Sequence, residues 1–201
     1  MSLFNICKEE TKLVLGSASP RRKELFKIIS ENFTVLKPDV DETVPENVEL
    51  YERPGYLAKK KALHISRNLS EKSEKAVVIG CDTGVFIDGE MLGKPKDKED
   101  AFSILKKLSG REHSVITGCC ITDGKHTETF SVKSQVFFRN LSDEDIKAYI
   151  ATGEPMDKAG AYGIQGKGCL LVEKIQGDYF NIVGLPVSAL AGELSLFLSK
   201  R

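Results

Sequence analysis

The sequence predicts an α/β protein with a mixed central sheet and flanking helices. Short apolar, β-branched runs alternate with segments whose apolar residues recur at helical spacing, and two Asp-Gly pairs mark hairpins within that alternation. Hairpins join antiparallel strands, whereas strand–helix–strand connections join parallel ones, so both directions are expected in one sheet. The length of 201 residues supports one domain over 1–201, or one core with a lobe built on it, and we expect a ligand cleft.

The N-terminal part of the chain predicts a strand, a tight loop and a helix in succession. The apolar run 12–15 ends at Gly16, and Ser19 is a good N-cap for a helix that begins at Pro20. Pro20 fits the first helical turn because its missing N–H would have no partner there. A second short strand is predicted at 33–36 and an amphipathic helix at 56–69.

The rest of the chain predicts strands joined by hairpins and helices. An apolar strand at 76–79 leads into the glycine-flanked segment 80–84 and then the apolar residues 85–87, and Asp88-Gly89 predicts a two-residue hairpin. Strands at 113–121 and 128–138 should pair antiparallel around the turn at 123–124. The remaining predicted elements are helices at 97–108, 143–151 and 186–198, a Gly-rich loop at 157–168 and a strand at 169–173.

Balanced charge excludes two classes of partner. Lys plus Arg and Asp plus Glu number 29 each, so the formal net charge is zero. Such a surface lacks the overall basic field that binds nucleic acid and the polybasic patch that binds a membrane. No run reaches the roughly 18 apolar residues of a membrane span, and residues 1–12 lack the pattern of a signal peptide. We therefore expect a soluble, cytoplasmic protein that binds neither nucleic acid nor membrane.

The cysteines and histidines do not form a metal or disulfide framework. The cysteines are odd in number and lack the Cys-x-x-Cys or Cys/His spacing of a zinc site, so we expect reduced, mostly buried thiols. The histidines share no ligand spacing and are expected to be structural or exposed. These residues are Cys7, Cys81, Cys119, Cys120, Cys169, His64, His113 and His126.

The first candidate site lies where the first strand feeds the first helix. Ser17, Ser19, Arg21 and Arg22 surround the expected helix N-terminus. Helix N-termini present unpaired N–H groups and a positive dipole end, and guanidinium groups add forked donors that match phosphate oxygens. The segment therefore suits an anion, although a capped helix with two solvated arginines is the alternative. It matches neither the Walker phosphate loop nor the dinucleotide fingerprint.

The second candidate site centres on Asp82. This carboxylate follows an apolar strand, and α/β sheets place their sites at the carboxyl ends of strands. Asp82 could hold a divalent cation or activate water, but an aspartate there is as often a turn former. Lys94, in a Gly-Lys-Pro turn, could neutralise phosphate charge or be solvated. Lys61 ends a run of three lysines that could be a solvated helix face or could add one cation to an anion-binding cleft.

The third candidate site is the Gly-rich segment 153–166. Its four glycines, with Tyr, Asp, Lys and Gln between them, favour a loop that closes on a ligand over a packed helix. Gln165 offers a donor and an acceptor, which are the groups needed to read the edge of a nucleotide base. A long surface loop without function is the alternative.

Taken together and in order, these segments resemble the Maf family of nucleoside triphosphate pyrophosphatases over nearly the whole chain. No single segment is decisive, but their joint order is highly specific. The matching segments are Leu15-Gly16-Ser17-Ala18-Ser19-Pro20-Arg21-Arg22-Lys23-Glu24-Leu25, Asp41-Glu42, 58–62, Cys81-Asp82-Thr83, Gly93-Lys94-Pro95, 108–113, Thr117-Gly118, 153–166 and Gly184-Leu185-Pro186.

The resemblance implies a fold, an activity and several residue roles. The fold would be similar to that of inosine triphosphate pyrophosphatase, with a cleft between two lobes, and a homodimer is expected. The activity would be hydrolysis of a nucleoside triphosphate to the monophosphate and pyrophosphate, with Asp82 as the general base. Arg21, Thr83 and Gln165 match positions tied to substrate choice. Lys158 and Gln165 match the branch that prefers dTTP and UTP.

A triphosphate carries about three to four negative charges, so the resemblance leads to a specific arrangement of charges. We expect Arg21, Arg22, Lys61 and Lys94 to line a triphosphate channel and Ser17 to donate to phosphate. Asp82 and Glu42 are expected to hold a divalent cation, Mg²⁺, and Asp82 to orient or deprotonate the attacking water. The alternatives are a non-catalytic nucleotide-binding regulator of cell division and a pyrophosphatase for another or a modified base.

Overall fold

A computed structural model describes residues 11–72 and 74–200 of the chain. Its strands are β1 (Leu13–Gly16), β2 (Thr34–Leu36), β3 (Val77–Ile87), β4 (Glu90–Leu92), β5 (Glu112–Thr122), β6 (Thr127–Phe138) and β7 (Val172–Gln176). Its α-helices are α1 (Pro20–Phe26), α2 (Arg53–Glu71), α3 (Lys98–Leu108), α4 (Asp143–Ala151), α5 (Tyr179–Val183) and α6 (Val187–Ser199). The interpretations of Cys7 and of the N-terminal segment fall largely on residues 1–10, which lie outside the described residues.

The predicted mixed sheet is confirmed. In the described part of the chain the strands form a seven-stranded sheet in the order β2-β1-β3-β5-β6-β7, with β4 paired to β3. β1 is parallel to β2 and β3, whereas β4 is antiparallel to β3 and β7 is antiparallel to β6. The helix α5 was not predicted, and β7 begins three residues later than expected because 166–171 form a 3₁₀ helix first.

The predicted end of this strand at residue 79 is wrong, because β3 runs without interruption from Val77 to Ile87. Gly80 and Gly84 allow close packing within the strand. A Cβ atom on Gly80 would lie 2.3 Å from the carbonyl oxygen of Ala58 in α2, and one on Gly84 would lie 2.8 Å from the ring of Phe86. Gly80 is therefore the place where α2 packs directly on the backbone of β3.

Both predicted hairpins have the local geometry that the sequence requires. Asp88 and Gly89 have φ angles of 53° and 73° between β3 and β4, which is the pair of left-handed residues of a type I′ turn. Between β5 and β6, Thr122 Oγ1 lies 2.9 Å from Thr127 Oγ1. Further along the same two strands, Ser114 contacts Gln135. The contact of Thr122 is with the start of β6, whereas Ser114, earlier in β5, contacts a residue later in β6. This order of contacts shows that β5 and β6 are antiparallel, as predicted.

The chain divides into two compact units, and β3, β5 and β6 contribute residues to both. The first unit contains the chain up to Asp82, the segment Thr117–Val132 and the C-terminal segment from Gly184. In it, α2 packs its apolar face on the parallel strands. That cluster comprises Val14, Ala58, Ala62, Ile65, Leu69, Val78 and Cys120.

The second unit contains Thr83–Ile116 and Lys133–Val183. Its core joins α3, α4 and the Gly-rich segment to the second halves of β3 and β6. Leu105 and Ile146 are completely buried there, and Asp97 and Ser142 cap the two helices through their side chains. Two units are thus present within the one predicted domain, while the cleft stays a prediction. No helix in 11–72 or 74–200 has the length and apolar character needed to span a bilayer.

Replacing Gly80 by alanine should destabilise the protein, because the new Cβ would overlap the Ala58 carbonyl oxygen and the Ala62 backbone nitrogen. We expect a loss of about 1–3 kcal/mol in the free energy of unfolding, the usual cost of overpacking. Gly192→Ala is the matched control, since nothing lies within 4 Å of its Cβ position in α6 and alanine favours a helix by about 0.5–1 kcal/mol. Urea denaturation followed by circular dichroism measures both. Equal midpoints for the two variants would contradict the packing argument.

Candidate active site

The loop between β1 and α1 is held by its own serines. Ser19 is the N-cap of α1, and its side chain accepts a hydrogen bond from the backbone N–H of Arg22 at 3.4 Å. Ser17 is buried and accepts from the backbone N–H of Ser19 at 3.2 Å. The predicted strand–loop–helix is therefore confirmed, and both serine side chains accept hydrogen bonds from backbone N–H groups of the same segment.

Arg22 connects three of the sequence segments singled out above. Its Nε atom donates to the backbone oxygen of Gly184 at 2.8 Å, and its Nη1 atom donates to the backbone oxygen of Cys81 at 3.0 Å. The Nη1 atom also lies 3.4 Å from Ser17 Oγ. Arg22 thus fixes the backbone directly before Asp82, which the sequence did not predict. Arg21, the neighbouring residue, is half-buried in the first turn of α1.

Lys61 is the centre of the site's electrostatics. Its Nζ atom lies 2.6 Å from Asp82 Oδ1 and 2.9 Å from Glu42 Oε1. The lysine and aspartate side chains are 8% and 13% exposed, whereas that of Glu42 is 62% exposed. A buried ammonium is stable only when it is paired and hydrogen-bonded, so two carboxylates converge on one cation.

Two features of the fold bring Lys61 and Asp82 together. Lys61 lies on the buried side of α2 beside Ala58 and Ala62, so the residue is not on a solvated face. Gly80 is the last residue of β3 paired with β1, whose strand ends at Gly16. Asp82 therefore lies within β3 yet beyond the carboxyl end of its parallel neighbour, where α/β sheets place their ligands.

The remaining predicted site residues, Thr83, Lys94 and Gln165, belong to the second unit. Thr83 is half-buried in β3, and Lys94 and Gln165 are exposed. The Gly-Lys-Pro turn is tied to the Gly-rich segment, since the Gly160 N–H donates to the Gly93 oxygen at 3.0 Å. The structure thus groups Ser17, Arg22, Glu42, Lys61 and Asp82 in the first unit and links the turn of Lys94 to the segment of Gln165 in the second.

The Gly-rich segment forms short 3₁₀ turns, as expected of a sequence unsuited to a long helix. The turns cover Glu154–Asp157, Ala159–Ala161 and Gly166–Leu171. Gly160 has a φ angle of 70°, and a Cβ there would lie 2.9 Å from the side chain of Val85. This glycine is therefore required both by backbone conformation and by close packing on β3.

The carboxylates Glu42 and Asp82 are chemically suited to a hard divalent cation. Mg²⁺ is usually held by one or two carboxylates together with water and substrate phosphate oxygens, and these two carboxylates already share one positive charge, that of Lys61. Within 11–72 and 74–200, no group of three or more His, Cys, Asp or Glu residues could hold a metal ion alone. The two carboxylates therefore fit a cation whose remaining ligands are water and the phosphate oxygens of the substrate.

The thiols and His113 have structural surroundings. Cys81 and Cys119 have Sγ atoms 3.7 Å apart and are free thiols, and burial raises the pKa of Cys120 to about 11. His113 is buried with its Nε2 atom 2.8 Å from the hydroxyl of Tyr162, and burial lowers its pKa to about 4. The ring is therefore neutral in the folded protein and acts as part of the core.

Thiol reactivity should separate Cys169 from the buried cysteines. In a Cys7→Ser protein at pH 8, we expect Ellman's reagent to label Cys169 rapidly, because it is exposed and a thiol reacts as an accessible thiolate. Cys81, Cys119 and Cys120 are buried and should react only after guanidinium is added. Rapid labelling of a second thiol in the native protein would contradict the burial seen here, and Cys169→Ser is the control that removes the fast phase.

A buried carboxylate paired with a lysine beyond the end of a sheet strand, next to an arginine-bearing helix start, defines an α/β protein that acts on an anionic ligand. The comparison with known proteins gives the family: residues 12–197 match the Maf-like protein family, and the chain belongs to it. The expected resemblance is thus confirmed.

Several relatives of the chain share one name, dTTP/UTP pyrophosphatase. The chain is 48% identical over 188 residues to a dTTP/UTP pyrophosphatase of Dictyoglomus turgidum, covering 92% of this chain and 96% of that protein. It is 46% identical over 186 residues to a dTTP/UTP pyrophosphatase of Bacillus pumilus, with the same two coverages. It is 50% identical over 182 residues to one of Caldanaerobacter subterraneus, covering 89% of this chain and 86% of that protein.

Proposed function

We propose that this protein is a nucleoside triphosphate pyrophosphatase that hydrolyses dTTP and UTP to the monophosphate and pyrophosphate. The observation that carries the proposal is the buried Asp82–Lys61 pair, in a chain 46–50% identical to proteins named dTTP/UTP pyrophosphatase. The substrates are cytoplasmic metabolites, which supports a cytoplasmic location. A homodimer stays a prediction from the resemblance.

The reaction transfers the α-phosphoryl group of the nucleotide to water. A water oxygen attacks the α-phosphorus, the bond to the bridging oxygen of pyrophosphate breaks, and one water proton must leave. Asp82 is the proposed general base, because its carboxylate is buried at 2.6 Å from the Lys61 ammonium, in the part of the sheet where ligands bind. Lys61 holds that carboxylate in one orientation and presents positive charge where the phosphoryl group gains negative charge.

The cationic side chains act on the triphosphate. Arg21 and Lys94 are proposed to neutralise the phosphate oxygens, and Arg22 to line the same channel while it fixes the Cys81 backbone. Ser17 accepts hydrogen bonds within the loop, and we propose that its own hydroxyl proton is donated to a phosphate oxygen. Holding these groups in place before the substrate arrives is what makes them effective in catalysis.

A divalent cation, Mg²⁺ in this proposal, would be held by Glu42 and Asp82 and would neutralise phosphate charge when bound. Lys61 contacts both carboxylates, so the ammonium keeps this acidic pair balanced and oriented. The recognition of the base is assigned to Thr83 and Gln165. Gln165 is exposed on the Gly-rich segment, and its amide can pair with the donor and acceptor edge of thymine or uracil.

Asp82→Asn should abolish pyrophosphate release from dTTP while the protein still folds and binds nucleotide, because the change removes charge and basicity but keeps shape. We expect kcat to fall by about 10²–10⁴-fold, the usual contribution of a general base. The matched control is Asp143→Asn, which removes an exposed carboxylate at the start of α4. Pyrophosphate release and nucleotide titration calorimetry measure the two effects, and hydrolysis at the wild-type rate would refute the assigned role. Binding without pyrophosphate release by the wild-type protein would favour a nucleotide-binding regulator instead.

Removal of divalent metal should stop hydrolysis of dTTP, and Mg²⁺ should restore it. Glu42→Gln is expected to raise the Mg²⁺ concentration needed for half-maximal activity by about tenfold, since a metal-site carboxylate is lost. Glu46→Gln changes another exposed carboxylate of the same connection and should leave that concentration unchanged. Activity that persists in excess chelator would remove the metal from the proposal, and equal Mg²⁺ dependence of the two variants would remove Glu42.

A further inference from the structure

The side chain of Glu154 is hydrogen-bonded to the backbone just beyond Gln165, at residues 167 and 168. Its Oε1 atom accepts from the Lys167 N–H at 3.1 Å, and its Oε2 atom accepts from the Gly168 N–H at 3.3 Å. Both carboxylate oxygens thus accept hydrogen bonds from one stretch of backbone, two and three residues beyond Gln165, which is proposed to recognise the nucleotide base. Hydrogen bonds to an ionised carboxylate are about twice as strong as neutral ones.

Tyr149 connects Glu154 to the other side of the loop. Its hydroxyl accepts from the Gly163 N–H at 3.2 Å and is hydrogen-bonded to the Glu154 side chain. Burial raises the pKa of Tyr149 to about 12, so the hydroxyl keeps the proton that it donates to the carboxylate. The segment from Gly163 to Gly168, which contains Gln165, is therefore held at both ends by one Tyr149–Glu154 pair.

Gly166 lets the Glu154 carboxylate approach the backbone, and Gly168 lets the backbone approach Gly163. Gly166 has a φ angle of 64°, and a Cβ there would lie 2.9 Å from Glu154 Oε1. A Cβ on Gly168 would lie 2.1 Å from the oxygen of Gly163. Lys158 adds a further support, because its Nζ donates to the backbone oxygen of Glu154 at 2.6 Å.

We propose that Glu154 is a positioning residue for base selection, which acts by fixing the backbone that carries Gln165. The inference rests on the proposed function and extends it, since it assigns selectivity to a carboxylate that does not itself touch the base. A base-reading amide discriminates only when its donor and acceptor are held in one orientation. The exposed Gln165 has little packing of its own to provide this, so the orientation comes from the Glu154 carboxylate beneath the loop.

A double-mutant cycle tests the inference. The quantity measured is the preference for dTTP over dCTP, taken both from kcat/KM for pyrophosphate release and from nucleotide binding in the Asp82→Asn background. Gln165→Ala should lower the preference by about tenfold or more, and Glu154→Gln should lower it by about fivefold or more. In the Gln165→Ala background, Glu154→Gln should change the preference by less than about twofold, because the two residues act as one unit.

Two further variants separate positioning from general damage. Gly166→Ala disrupts the same contact, because the new Cβ would lie 2.9 Å from Glu154 Oε1. This variant should also lower the preference for dTTP over dCTP, even if Glu154→Gln proves unstable. Glu173→Gln, an exposed carboxylate in β7, should leave the preference unchanged. Equal loss of rate on both nucleotides, an unchanged preference, or additive effects of Glu154→Gln and Gln165→Ala would each overturn the inference.

The failure of the proposed function would have a different signature. A wild-type protein that releases no pyrophosphate but whose binding preference falls with Glu154→Gln would refute the enzymatic activity and support the positioning role. A wild-type protein that hydrolyses every nucleotide equally well would support the activity and overturn the assignment of Glu154 and Gln165 to base selection.

Discussion

The contact between Lys61 and Asp82 is the interaction on which the first unit's site depends. A lysine ammonium buried in the face of α2 has no water to solvate it, so it must find carboxylates, and it finds Asp82 at 2.6 Å and Glu42 at 2.9 Å. The same contact holds the buried Asp82 carboxylate in one orientation. Stability and chemistry are therefore linked, since removal of the Lys61 charge would take away the ammonium that faces the buried Asp82 carboxylate.

Close packing of backbone on backbone makes that contact possible. α2 reaches β3 because Gly80 has no side chain, and the helix then carries Lys61 to the level of Asp82, two residues further along the strand. Arg22 fixes the intervening backbone through the carbonyl of Cys81. The second unit uses the same principle, since Gly160 lets the Gly-rich segment pack on Val85 of β3 and Gly166 lets it pack on the Glu154 side chain.

Much of this arrangement could be predicted from local sequence, and the failures have identifiable causes. Ser19 with Pro20 and Asp88 with Gly89 gave correct predictions because capping and turn geometry depend on neighbouring residues alone. The end predicted for the strand at residue 79 is wrong because a glycine that ends a strand and a glycine that admits a packed helix look alike in sequence. The contacts of Glu154 could not be predicted from the sequence, because its partners, the N–H groups of Lys167 and Gly168, are backbone groups present at almost every position.

The sequence by itself determined the α/β class, the mixed sheet and the order of motifs that places the chain in the Maf-like protein family. Those properties follow from hydrophobic period, turn residues and motif order, which are all written along the chain. Only the tertiary structure decided that Lys61 is a buried partner of Asp82 rather than part of a solvated lysine face. It also decided that Arg22 donates hydrogen bonds to the backbone carbonyls of Gly184 and Cys81. The physical reason is that burial and ion pairing depend on residues distant in sequence, whose approach is set by how helices pack on the sheet.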